Sequence, residues 1–282
     1  FTYQFGGEKP FVPVGHLVFG VDRRSFRQSG AYDTQQLVGI ASGFCAEWDD
    51  RMKGALLGPA FSEPFIAAWL SKRGYPAEAY LREEIADEIA RRLANGRVIG
   101  VFQSRMEFGP RALGARSILG DARSPAMQSI MNLKIKFRES FRPFAPAVLR
   151  ECVGEWFEFD GDSPYMLLVA DVAASKRVEL PNEARDLWGI PRLNLVRSEI
   201  PAATHVDYSA RIQTVRREAN PFFYDIIRAF YARTGCPVIV NTSFNVRDEP
   251  IVCTPEDAYR CFMRCDMDDL VLETFLLDKT DQ

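Results

Sequence analysis

Four stretches of this 282-residue chain set more arginine, lysine and amide side chains beside apolar strands than folding requires. The first is Arg105-Met-Glu-Phe-Gly-Pro-Arg-Ala-Leu-Gly-Ala-Arg-Ser117. Gly109-Pro110 and Gly114 force a tight, irregular path in which backbone amides can face a ligand. Arg105, Arg111 and Arg116 carry planar forks that match phosphate oxygens. The second is Asn132-Leu-Lys-Ile-Lys-Phe-Arg-Glu-Ser-Phe-Arg-Pro-Phe-Ala-Pro146. Read as an extended chain, its period of two puts Lys134, Lys136 and Arg138 on one face and Ile135 and Phe137 toward the core. With Arg142, four cations stand against one acid, Glu139, which suits a polyanion.

The third stretch, His205 to Thr214, alternates so that Asp207, Ser209, Arg211 and Gln213 fall to one side. The fourth, Asn241-Thr-Ser-Phe-Asn245, follows an apolar strand and offers amides and a hydroxyl at its end, where ligands commonly sit in sheets. Each stretch also has a plainer reading: surface arginines on a turn, an edge strand guarded by lysines, a structural arginine, an Asx/Ser turn. No phosphate-binding P-loop, GxGxxG or serine elbow is present. Asp266, Asp268 and Asp269 read as a helix-to-strand turn rather than a metal cluster. Six cysteines (45, 152, 236, 253, 261, 265) form no CxxC pair, and the histidines are His16 and His205 alone. They read as buried, reduced thiols, with Cys261 and Cys265 sharing a helix face, in a reducing compartment.

The elements that must carry these groups are legible from residue 57 onward. Glu63 to Arg73 reads as a helix stopped by Gly74. Leu81, Ile85, Ile89 and Leu93 recur every four residues on an amphipathic helix that ends at Asn95-Gly96. Val98–Phe102 follows as a buried strand. The same helix–glycine–strand unit returns as Phe222–Arg233, Gly235 and Pro237–Val240. Thr254 then caps a helix with Pro255 in its first turn, running to about Cys265, and Leu270–Leu277 closes as one strand. Residues 176–203 read as an exposed insertion or long hairpin. Before residue 57, glycines and prolines punctuate short apolar runs, with a helix over Thr34–Ala46. Elements without strict alternation indicate an α+β fold.

Composition adds exclusions. The chain is 47% hydrophobic, 26% charged and carries a net charge of −3, ordinary for a cytoplasmic protein and no signature of a nucleic-acid binder. No apolar run approaches the ~20 residues that span a bilayer. It opens Phe-Thr-Tyr-Gln, without a methionine or a signal-peptide pattern, so a piece of a longer protein is expected.

Taken in order, Arg-Met-Glu-Phe-Gly-Pro-Arg-Ala-Leu-Gly (105–114), Phe-Arg-Pro-Phe-Ala-Pro (141–146), Ala-Arg-Ile-Gln-Thr-Val (210–215), Asn-Thr-Ser-Phe-Asn with Glu-Pro-Ile-Val (241–252) and Cys-Thr-Pro-Glu-Asp-Ala (253–258) resemble the C-terminal half of the nodulation and antibiotic O-carbamoyltransferase family. The likeness covers about Leu57 to Leu277. It implies residues 57–282 as a YrdC-like domain, a mixed sheet with flanking helices, preceded by a segment (1–56) that reads as a linker or as part of the preceding domain. It implies a domain that makes carbamoyl-adenylate from carbamoyl phosphate and ATP. An actin-like N-terminal domain of the same polypeptide would pass the carbamoyl group to a sugar-type hydroxyl. Metal (iron-type, and magnesium) is expected only in that longer enzyme.

By the same likeness, Lys136, Arg111 and Arg142 are the catalytic candidates. Arg211, Ser243, Asn241, Asn245 and Arg105 bind the substrate and nucleotide. This sequence departs from the family in having Ser104, Tyr208 and Asp248 where glycine is usual, and Ala115 where asparagine is usual. Tyr208 and Asp248 are expected to add bulk near the binding loops. Two competing classes are a basic-groove RNA-binding module, whose sign would be steep salt dependence, and an inactive docking domain, whose sign would be failure to bind any nucleotide.

Overall fold

The computed structural model describes residues 11–14, 17–20, 50, 52–181, 187 and 189–282. The chain divides into two units, Phe1–Arg51 and Met52–Gln282. In the first, β1 (Phe11–Val14) and β2 (Leu17–Gly20) pair antiparallel as a hairpin, Phe11 opposite Gly20. The helix expected over Thr34–Ala46, with Cys45, and His16 lie outside the described residues.

The second unit is built on a sheet of eight strands in the order β3-β12-β11-β4-β5-β10-β6-β9. These are β3 (Glu78–Ala79), β4 (Ile99–Phe102), β5 (Arg116–Asp121), β6 (Ala145–Leu149), β9 (Gln213–Val215), β10 (Val238–Ser243), β11 (Asp269–Leu272) and β12 (Phe275–Asp278). A separate pair, β7 (Val169–Asp171) and β8 (Ser209–Arg211), lies antiparallel. β4 with β11 and β6 with β9 run parallel; the other ladders are antiparallel, so the sheet is mixed. The helices are α1 (Glu63–Arg73), α2 (Arg82–Ala94), α3 (Met127–Ile130), α4 (Val153–Trp156), α5 (Ile190–Leu193), α6 (Pro221–Thr234) and α7 (Pro255–Met263). The architecture is α+β, a mixed sheet flanked by helices.

The helices form where the sequence supplies both a buried stripe and ends. α1 is capped by Ser62, whose hydroxyl accepts from the Phe65 amide, and Gly74 ends it in the left-handed region. α6 starts at Asn220, whose Oδ1 accepts from Phe223 N, and α7 at a reciprocal Thr254/Asp257 box. α2 and α6 pack against each other, burying Ile85, Ile89 and Leu93 with Phe223, Ile226, Ile227 and Phe230. Burying such side chains contributes about 1.5–3 kcal/mol each before entropy is subtracted. Among the described residues no helix is long and apolar enough to cross a membrane.

Three expectations are corrected. Residues 131–135 are not a strand: α3 runs on as a π-helical turn, Met131–Ile135. Met127, Met131 and Ile135, four apart, supply the buried stripe, and the two-residue alternation of Ile135 and Phe137 is coincidental. Gly120 of β5 permits this helix, because a Cβ there would lie 2.9 Å from the sulfurs of Met127 and Met131. Phe137 does not face the core; it is exposed and has a positive φ of 48°. Leu270–Leu277 is two strands, not one, turned at Glu273-Thr274, with Glu273 at φ 53°. Both strands are buried, so the apolar run is unbroken by glycine or proline. Residues 176–203 do form a hairpin base, Arg177 bridging Ser198, but its return leg is not exposed: Arg197, Ser198, Ile200, Ala202 and Ala203 are buried.

Candidate functional site

The ladder directions bring the sequence-selected stretches to one end of the sheet. β4 ends there at Phe102, feeding the Gln103–Ala115 loop, and β5 leaves from it at Arg116. β10 ends there at Ser243, and β6 and β9 begin there. Gln213 lies opposite Ala147, so Arg211 falls level with Ala145, whose partner on β10 is Asn241. Ser243, two residues on from Asn241, shares its face.

Two clusters occupy this end. In the first, Lys136 leaves the π-helical turn and buries its side chain, 4% exposed. Its ammonium donates to Ser243 O, to Asn245 O (2.9 Å) and to Asn245 Oδ1 (2.8 Å), and stands 3.4 Å from Ser243 Oγ. Ser243 Oγ in turn donates to Asn245 Oδ1 at 2.8 Å. All of these acceptors are neutral. Burial, with the Arg138 charge nearby, pushes the Lys136 ammonium down to about 7. Asn132 shapes the following loop, donating to Ser140 O and Arg142 O while accepting from Arg138 Nε.

In the second cluster, Asn241 donates to Ala112 O (3.1 Å) and to Gln213 Oε1 (2.7 Å). Arg211 is half-buried and touches Met166 Sδ at 3.8 Å. Burial first, and then the Arg111 guanidinium, lowers its pKa. Arg111 is exposed and makes no hydrogen bond or ion pair among the described residues. Two polar atoms are buried here without partners: Arg211 Nε, a donor, and Asn241 Oδ1, an acceptor. An orphaned buried polar atom costs about 1–3 kcal/mol, so such atoms mark a place where a ligand would complete the bonding.

Arg105 and Arg142 are not joined to either cluster by a hydrogen bond. Arg105 donates to Leu57 O, and exposed Arg142 stands 3.9 Å from Glu139. Lys134, Lys136 and Arg138 do not form the cationic face expected of a strand, because the helical path separates them and buries Lys136; the basic-groove reading loses its basis with it. Asp269 sits at the opposite end of the sheet, bonded to Arg92 (2.6 Å) and Arg97 (2.7 Å). Among the described residues no group of three His, Cys, Asp or Glu side chains is gathered. A cavity of about 220 Å³ opens between Gln128, Ser129, Phe141 and Leu193–Val196, and none of the selected residues lines it.

Sequence reasoning passed over Glu107, Gln103 and Glu273, and placed Gln213 on the Arg211 face without giving it a role; all four are buried at this end of the sheet. Glu107 and Gln103 sit inside a quoted stretch or beside it, and the signal for Glu273 was a lone acid inside an apolar run. The three departures from glycine have a backbone meaning: Ser104, Tyr208 and Asp248 all have positive φ, at 53°, 67° and 63°. Glycine takes that region without strain; other residues do not. Ser104 is held by Glu273, whose Oε1 accepts its amide at 2.5 Å. Tyr208 turns its ring toward Arg177, 5.2 Å away, and the Asp248 side chain is 89% exposed, so neither fills the site. Asp248→Gly is therefore expected to raise stability by about 1 kcal/mol, read as a higher urea midpoint at unchanged slope; a lower midpoint would refute strain at this position.

Comparison with known proteins finds a matching family model and several relatives. The family model described as "Carbamoyltransferase C-terminus" matches residues 90–279. An uncharacterised protein of Synechocystis is 59% identical over 83% of this chain and 38% of its own length. Nodulation protein NolNO of Sinorhizobium fredii is 37% identical over 92% of this chain and 37% of its own. A 3'-hydroxymethylcephem-O-carbamoyltransferase of Amycolatopsis lactamdurans is 37% identical over 68% of this chain and 30% of its own. The chain thus spans well under half the length of these curated relatives.

Proposed function

Because the chain belongs to the carbamoyltransferase C-terminus family, we propose that it is the part of a cytoplasmic O-carbamoyltransferase that forms carbamoyl-adenylate from carbamoyl phosphate and ATP. The observation that carries this reading is the second cluster: two neighbouring guanidiniums, Arg111 and Arg211, with an orphaned donor and an orphaned acceptor beside them. A carbamoyl group offers both a carbonyl oxygen and an NH2, the complement of Arg211 Nε and Asn241 Oδ1. The phosphate oxygens of either substrate suit the two arginine forks.

The chemistry needs positive charge and dryness more than a strong base. Carbamoyl phosphate loses phosphate to water, leaving carbamate. A carbamate oxygen then attacks the α-phosphorus of ATP, and pyrophosphate departs. Arg111 and Arg211 would hold the phosphoryl oxygens, with Arg142 and Arg105 as further candidates for that role. Lys136 fixes Ser243 and Asn245, and through them the end of β10, where the small planar group would lie. Transfer from the adenylate to a sugar-type hydroxyl is assigned to an actin-like N-terminal domain of the longer polypeptide, with its iron-type metal and magnesium. The relatives named as a nodulation protein and as a 3'-hydroxymethylcephem-O-carbamoyltransferase support this division by their length, since this chain covers 37% of the first and 30% of the second.

Calorimetric titration of the chain with ATP and with carbamoyl phosphate tests the proposal. Saturable binding of both is expected. Heat from neither would remove the second cluster as a substrate site.

A further inference from the structure

Arg111 makes no hydrogen bond or ion pair among the described residues, so whatever aims it must act on the backbone behind it. That backbone is held from two sides. Glu107, 1% exposed, accepts at Oε1 from the amides of Leu113 (2.6 Å), Ala115 (3.3 Å) and Arg116 (3.3 Å). The amide between them, Gly114 N, donates to Ser117 Oγ at 3.0 Å. Four consecutive amides thus converge on two side-chain oxygens. The carbonyls point the other way: Ala112 O accepts from Asn241, Leu113 O from Gln213 and Gly114 O from Gln103. Gly114, at φ 108°, permits the reversal, and a Cβ there would lie 2.4 Å from the Phe223 ring.

We propose that Glu107 is a positioning residue for the anion site: its buried carboxyl group holds the Leu113–Arg116 backbone in the single shape that presents Arg111 beside Arg211. The role of Arg111 toward an anion rests on the function proposed above; the role of Glu107 toward the loop rests on the bonds alone. Its second oxygen, Oε2, is buried without a partner. An apolar side chain there would remove that orphan but would strand the three amides and take the carboxylate away from buried Arg116. One carboxyl oxygen spread over three amides fixes three peptide planes at once, before any ligand arrives.

The test combines hydrogen exchange with ATP titration on the 282-residue chain and on Glu107→Gln, Arg111→Ala and the double variant. In Glu107→Gln the amides of Leu113, Ala115 and Arg116 are expected to exchange about tenfold faster, while those of Leu270 and Val271 hold their rates. ATP affinity is expected to fall about tenfold, and to fall little further when Glu107→Gln is added to Arg111→Ala. Should the glutamine variant not fold, Glu107→Asp keeps the charge on a shorter arm, and faster exchange at these amides is expected there too. Unchanged exchange in the variants, or losses of affinity that simply multiply, would overturn the assignment. An intact chain that binds no ATP would defeat the substrate reading, while the exchange rates would still decide the role of Glu107.

Discussion

Lys136→Ala is expected to lose about 3 kcal/mol of stability at pH 7 and to remove a rise in stability above that pH. Two opposed effects meet at this side chain. Its ammonium is desolvated, which is unfavourable, but its stem fills core space beside buried Ile135 and its head satisfies the oxygens of Ser243 and Asn245. Alanine removes the charge but leaves a cavity and stranded acceptors, and those losses outweigh the relief. The pH dependence has a definite sign. The folded-state pKa is pushed from 10.5 to about 7. Between those values the unfolded chain binds more protons than the folded one, so stability rises with pH across that window. Below about 7 the charge is carried in both states and the slope vanishes. Urea midpoints on either side of neutrality check this: an upward slope in the native chain, none in the variant. A native chain whose stability is flat or falls over that range would show that the four oxygens hold the proton as strongly as water does.

Arg211→Ala should have the opposite signature. Its Nε has no partner, its neighbour is another guanidinium, and among the described residues its one side-chain hydrogen bond is to Met166 Sδ. Little holds the fold through it, so stability is expected to change by less than about 1 kcal/mol. Affinity for ATP or carbamoyl phosphate is expected to fall about a hundredfold, the worth of one or two charge-assisted hydrogen bonds. Titration set beside a melting curve separates the two. A variant that melts early yet binds normally would make Arg211 structural, as its lone position among small polar groups in the sequence also allowed.

The helices were legible because their signals are local. The four-residue spacing of Leu81, Ile85, Ile89 and Leu93, the stop at Gly74 and the Thr254 cap are each settled within a few residues. The candidate site was legible as pieces, since the arginine loop, Asn241–Asn245 and the Arg211 strand stand beside strands that any reading finds. Residues 127–138 misled because burial under a sheet fixes the path of the helix there, and no cap or glycine announces it. The Glu273 turn was missed for a related reason: Glu273-Thr274 breaks the apolar run with two polar residues but with neither glycine nor proline, the usual turn signals. Glu107 could be seen only once the amides it holds were in place, because its partners are backbone atoms that carry no sequence.

The strand order also governs when the site can exist. β10 lies between β5 and β6, β11 beside β4 and β12 beside β3, so the last fifty or so residues supply three interior strands to partners laid down much earlier. A chain emerging from the ribosome first exposes the arginine loop and then Lys136, but Asn241, Ser243 and Asn245 arrive more than a hundred residues after Lys136's helix began. Until then Lys136 has no oxygens to receive it, and β5 presents an open edge. A nucleotide bound as proposed cannot guide the early steps of folding; it would act only as a latch, drawing the equilibrium toward the finished sheet once β10 has been inserted.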